Sequence, residues 1–182
     1  MPILLAAFAS ACVSFKSDSD AASATALAPS PESIRQVEAL LDKAMQFQEA
    51  SERLAFSKGR ALTKDEAGYA AALGIEHPEK IRVRYQWRLP KPHDPELLAT
   101  FKDLGFGSWL EGGRTHGYGI FVKSYFSSKS AIIRHELVHV LQAERMGLRA
   151  FTRQYLIEAM TYGYFDMPLE AEAFNKTEGE RY

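Results

Sequence analysis

The sequence predicts an α+β fold, with one mostly helical domain over residues 31–182 and a small sheet. Two observations lead there. Helical spacing with recognisable start and stop residues recurs from residue 31 onward, whereas only the stretches 81–87 and 118–123 read as strands. A hydrophobic content of 46% in 182 residues suits a single modest core. The single cysteine excludes an internal disulfide framework and a cysteine-built zinc site. A formal net charge of −1 gives no electrostatic case for nucleic acid or for an anionic membrane surface.

Residues 2–11, Pro-Ile-Leu-Leu-Ala-Ala-Phe-Ala-Ser-Ala, form an apolar run ending in small residues, and Cys12 follows at once. The run is too short to span a bilayer and has the character of a signal-peptide core. Small residues directly before the sole cysteine resemble a bacterial lipoprotein processing site. That resemblance implies a signal segment over 1–12, lipidation of Cys12, export, and contact with the membrane through the lipid anchor only. Ordinary cleavage after Ser10-Ala11 would instead release a periplasmic protein. Residues 13–30, rich in Ser, Ala and Asp, can bury little and are expected to form a flexible tether.

Ser30-Pro31 opens the first helix, with serine as N-cap and proline at the first helical position. Its core stripe is Ile34, Val37, Leu41, Ala44 and Phe47, and it ends near Lys58-Gly59. Thr63-Lys64-Asp65-Glu66 is a capping box for a second helix, which Gly74 stops. Ile81 to Trp87 alternates as a strand whose arginines form a solvated face. Leu89-Pro90-Lys91-Pro92 is a rigid exit, and Asp94-Pro95 caps a short helix over 95–102. The glycine-rich residues 103–117 are expected to form a loop beside the functional helix. Tyr118 to Lys123 is the second strand. A serine near Ser130 caps the next helix, which Gly147 ends. A helix over 149–162 follows, with Phe151, Tyr155, Ala159 and Tyr162 on one face. It breaks at Tyr162-Gly163-Tyr164, and Pro168 starts the last helix.

The chemistry is concentrated in the helix around Ile132–Gln142, which contains His-Glu-x-x-His. Residues four apart lie one above the other on a helix, so His135 and His139 can aim two imidazoles at one metal ion. Glu136 beside them can reach a water on that ion and take its proton. Ile133, Leu137, Val140 and Leu141 give the same helix an apolar face for the core.

A site of this type needs a third protein ligand and one open position. His77 and His93 precede prolines in turns far upstream. A carboxylate on a downstream helix has the better geometry, and Glu170 and Glu172 are both available. Two apart, they cannot both face the metal. Glu170 is favoured because it sits three before the small Ala173, which permits close helix packing.

His-Glu-Leu-Val-His-Val-Leu-Gln followed by Pro-Leu-Glu-Ala-Glu-Ala resembles the glutamate-zincin class of metallopeptidases. More closely, Ile81 to Ala173 is similar to poorly characterised bacterial HExxH proteins, through Gly117-Tyr118-Gly119-Ile120-Phe121, residues 134–142, Tyr162-Gly163-Tyr164 and residues 168–173. The resemblance implies a zincin-like fold, Zn²⁺ on His135, His139 and Glu170, and Glu136 as catalytic base. It also implies a peptide or protein substrate lying along the strand before the metal helix, as the sheet's free edge. Tyr162 and Tyr155 are the foremost candidates for the donor that stabilises the oxyanion, with Tyr164 and His116 behind them. His116 falls where an apolar residue is expected and receives no general role. The expectation from another class is a catalytically inactive binding or scaffold lipoprotein of the bacterial envelope that retains the same fold.

Overall fold

The computed structural model describes residues 27–109, 111–128 and 130–177. The expected signal segment 1–12, the expected lipidation site Cys12 and most of the tether lie outside these residues. The described chain folds as an α+β unit dominated by helices.

Helix α1 (Pro31–Lys58) begins where Ser30 accepts a hydrogen bond from the Ser33 amide at 3.0 Å. It buries Val37, Leu40, Leu41 and Ala44 along one stripe. Helix α2 (Lys64–Leu73) carries the full capping box, with Thr63 and Glu66 satisfying each other's backbone amides. Strand β1 (Arg82–Gln86) is followed by α3 (Pro95–Asp103), capped by Asp94. Strands β2 (Gly113–His116) and β3 (Gly119–Lys123) precede α4 (Ser130–Met146), α5 (Leu148–Tyr162) and α6 (Pro168–Lys176). Among the described residues, no helix is long and apolar enough to cross a membrane.

Two expectations about the sheet are corrected. Residues 113–116 are a strand rather than part of a loop, and the strand order is β1-β3-β2. β3 is therefore the centre of the sheet, parallel to β1 and antiparallel to β2, not its edge. It is buried at every position, as a strand paired on both sides and covered on both faces must be. The edge strand that lies against α4 is β2. Gly119 shows how closely α1 lies on β3, since a Cβ there would stand 2.7 Å from that of Ala55. Only glycine allows that approach.

Three apolar clusters build the core, and two of them hold α4. Ile81, Val83, Ile120 and Val122 of the sheet region pack on Ile132, Ile133, Leu137 and Val140 of α4. Val37, Leu40 and Ala44 of α1 join Leu97 of α3 and Leu156 and Ile157 of α5 in a second cluster. Ala143, Phe151 and Leu169 tie α4, α5 and α6 together. The polar face of α4 is left turned into the space between β2, α1, α5 and α6.

Candidate metal centre

His135 and His139 stand one turn apart on that face, both buried. Their Nε2 atoms are 3.2 Å apart and the rings meet edge to face. Glu170 Oε2 is 3.0 Å from His135 Nε2, and Glu170 Oε1 is 3.2 Å from His139 Nε2. The ligand atoms of the three residues lie within 4.8 Å of one another. Two nitrogens bound tetrahedrally to zinc, at about 2.0–2.1 Å each, would be separated by about 3.3 Å. The imidazole spacing thus has the size of one edge of a zinc tetrahedron. The donor set, two neutral nitrogens and a carboxylate with all three converging, fits this ion.

The supporting contacts orient each ligand. Gln142 Nε2 donates to the Leu169 carbonyl at 2.9 Å and to Glu172 at 3.0 Å. Its Oε1 must then face His139 Nδ1, 2.8 Å away. In the neutral ring that acceptor places the proton on Nδ1, which leaves the Nε2 lone pair available to a metal. Glu170 is positioned by the start of α6. Pro168 fills the first helical position, and the Leu169 amide donates to the buried Glu158 at 2.8 Å. The Tyr155 hydroxyl donates to Glu170 Oε1 at 2.6 Å. Ala173, on the same helix, is fully buried. Glu172 points elsewhere and forms a two-pronged pair with Arg145 at 3.0 and 2.9 Å.

Electrostatics follow from these contacts. Burial alone would raise the Glu170 carboxyl, but the two imidazoles override it and hold the group far below the usual carboxylate range. Burial alone would lower His139, but Glu170 overrides it and raises the imidazolium to about 9. Such a mutual attraction between buried donor groups is what a cation placed among them would replace.

Glu136 is buried, and burial pushes its carboxyl upward. The Thr115 hydroxyl of β2 lies 2.8 Å from Glu136 Oε2 and restrains it. On the other side, a Cβ at Gly113 would stand 2.6 Å from Glu136 Oε1, so β2 can pass the carboxylate only because residue 113 is glycine. Glu136, His139 and Glu170 open into a cavity of about 60 Å³. Phe47, Phe101, Phe106, Phe151 and Leu156 form its apolar wall, and Thr115, His116, Tyr155 and Tyr164 contribute polar groups.

The structure brings together His135, Glu136, His139, Glu170 and Tyr155, and separates Tyr162 from them. The Tyr162 hydroxyl donates to the Leu27 carbonyl at 2.8 Å, and Tyr162 does not line the cavity. Gly163, at φ 79°, turns the chain after α5, so the tyrosine that reaches the cavity is Tyr164. Tyr155 is present, but its proton is engaged by Glu170. Thr115, Gly113, Gln142 and Gln48 carry positioning roles that sequence reading did not assign. Of these, only Gln142 had a usable signal, because it follows His139 by three positions on the same helix.

No family model matches the chain, and no curated protein or solved structure matches it either.

Proposed function

We propose that this protein is a zinc-dependent metallopeptidase that hydrolyses a peptide bond. The observation that carries the reading is the convergence of His135, His139 and Glu170 on one point, with the Glu136 carboxylate in the same cavity. When bound there, Zn²⁺ supplies Lewis acidity, lowering the pKa of water and polarising a carbonyl.

The residues have separable tasks. Glu136 takes one proton from water as oxygen bonds to the carbonyl carbon, and delivers that proton to the amine nitrogen as the C–N bond breaks. Its burial, which favours the protonated form, suits the second half of that cycle. Thr115 keeps Oε2 in place, and Gly113 leaves Oε1 free to face the cavity. Tyr164 lines the cavity and makes no hydrogen bond to another described residue, so its hydroxyl is the best placed donor for the developing oxyanion. Tyr155 keeps the Glu170 carboxylate turned toward the imidazoles. The lipid anchor at Cys12, with export to the bacterial envelope, belongs to the same proposal and rests on the N-terminal sequence pattern.

The test is cleavage of a mixed peptide library by zinc-loaded protein, read by mass spectrometry, beside Glu136→Gln. The expected result is cleavage by the parent and loss of at least about 10²-fold in the variant, with zinc retained. Equal zinc content in both and no cleavage by either would favour the inactive envelope scaffold.

A further inference from the structure

Across the cavity from the metal position lies a buried histidine for which the proposed chemistry has no use. His116 ends β2, is 2% exposed, and lines the same cavity as Glu136 and His139. Its tautomer follows from the contacts behind it. The Thr152 hydroxyl donates its single proton to the Leu148 carbonyl at 2.8 Å, so its oxygen can only accept from elsewhere. Gln48 presents Nε2 to that oxygen at 3.4 Å. The Gln48 amide is thereby oriented, and its Oε1 lies 2.6 Å from His116 Nδ1. An amide oxygen accepts, so Nδ1 carries the proton. Burial first, and then the Arg114 guanidinium, hold His116 well below the ordinary imidazole range, so the ring is neutral. Nε2 is therefore a bare lone pair.

That lone pair is buried and has no hydrogen-bond partner among the described residues. Arg114 lines the cavity but does not serve it. Its Nε and Nη2 are engaged by Glu111 and its Nη1 by the Pro90 carbonyl. A buried acceptor left unpaired is unfavourable, and native structures contain few of them. The cavity that His116 lines is walled by Phe47, Phe101, Phe106, Phe151 and Leu156.

We propose that His116 Nε2 selects the substrate, accepting a hydrogen bond from the tip of a side chain that enters this cavity along its aromatic wall, and that the side chain is tyrosine. The word substrate rests on the metallopeptidase reading; the binding preference does not. Serine and threonine reach too little of the aromatic wall, and a lysine ammonium would be desolvated beside Arg114. A phenol satisfies both the wall and the lone pair. Discrimination by a buried group made to pair with a substrate hydroxyl is strong, because the analogue lacking it leaves that group unpaired.

The probes are 4-ethylphenol and ethylbenzene, titrated into the zinc-loaded full chain with ¹⁵N-labelled histidine. The phenol is expected to bind about ten- to a hundredfold more tightly. It should also shift the His116 Nε2 resonance from the value of a bare lone pair toward that of a hydrogen-bonded one. His116→Phe should remove the discrimination while keeping ethylbenzene binding. Gln48→Leu, which frees the tautomer without touching the probe's acceptor atom, should reduce the discrimination and serves if the first variant does not fold. Equal affinity for the two probes, or phenol binding that leaves the Nε2 resonance unmoved, overturns the proposal. Because binding is read without turnover, the two readings fail separately. A protein that prefers the phenol but cleaves nothing loses only the peptidase reading. One that cleaves peptides but ignores the probes' hydroxyl loses only the selector.

Discussion

Gly113→Ala separates the proposed catalytic carboxylate, Glu136, from the proposed metal ligands with a single methyl group. The added Cβ would stand 2.6 Å from Glu136 Oε1, 3.0 Å from Glu136 Cδ and 2.9 Å from Ile132 Cγ2. Ordinary carbon contacts need about 3.5–4.0 Å, so Glu136 must move by roughly 1 Å or β2 must shift. β2 is held by pairing to β3 and α4 by the core, so the side chain yields first. Overpacking of this kind costs about 1–3 kcal/mol of stability. A misplacement of about 1 Å at a reacting group costs on the order of 10²-fold in rate. None of the contacts reaches His135, His139 or Glu170, so zinc affinity should change less than about threefold. The assay pairs thermal melting and competitive zinc titration with peptide turnover. Loss of turnover with zinc affinity intact is expected. A variant that turns over like the parent would refute the placement of Glu136 against β2, and one that loses zinc would show that β2 supports the ligands instead.

Other outcomes follow from the same geometry. Glu170→Gln should weaken zinc binding by at least about tenfold, because a neutral amide oxygen is a poorer ligand, whereas Glu172→Gln, whose amide oxygen can still accept from Gln142 while the Leu169 carbonyl also holds it, should leave affinity unchanged; competitive chelator titration of both reads the contrast. Gln142→Leu removes the acceptor that fixes the His139 tautomer and should cost about 10–100-fold in zinc affinity. The metal-free protein should lose stability as pH rises. His139, raised to about 9 from its ordinary 6.5, contributes fully below about 6.5 and loses its contribution as pH passes through 9. Glu136, raised by burial, contributes below its ordinary 4.5 and loses that contribution as pH rises above it, a change of the same sign. Glu170, held low, contributes above its ordinary 4.5 and is lost only in strong acid. Melting temperatures of the metal-free protein from pH 5 to 10 check this, and a flat or rising profile between 6.5 and 9 would contradict it.

What could be read from the sequence was local. Ser30-Pro31, Thr63 with Glu66, and Asp94-Pro95 announce helix starts because a cap is made within one turn. His135 and His139 are legible for the same reason, since four positions of helix make them neighbours without any help from the fold. Glu170 was reachable because Pro168 sets the helix phase and Ala173 marks the contact face. What failed was non-local. Gly-Arg-Thr-His has little strand propensity and becomes β2 only by pairing with β3. The resemblance implies an edge position for β3, and reading residues 113–116 as loop gives Thr115 and Gly113 no place in the site. Tyr162 and Tyr155 are the foremost donor candidates in the sequence, but Gly163 turns the backbone so that Tyr164 reaches the cavity and Tyr162 does not. Gln48 enters from the middle of α1, more than sixty residues from His116, and no local pattern could have joined them.

The most direct test of the metal centre is the zinc content of the full chain after reconstitution and removal of excess metal, measured by mass-spectrometric elemental analysis beside the double variant His135→Ala, His139→Ala. A single three-ligand site predicts about one zinc per chain in the parent and close to none in the variant. Zinc retained equally by both proteins would contradict the account.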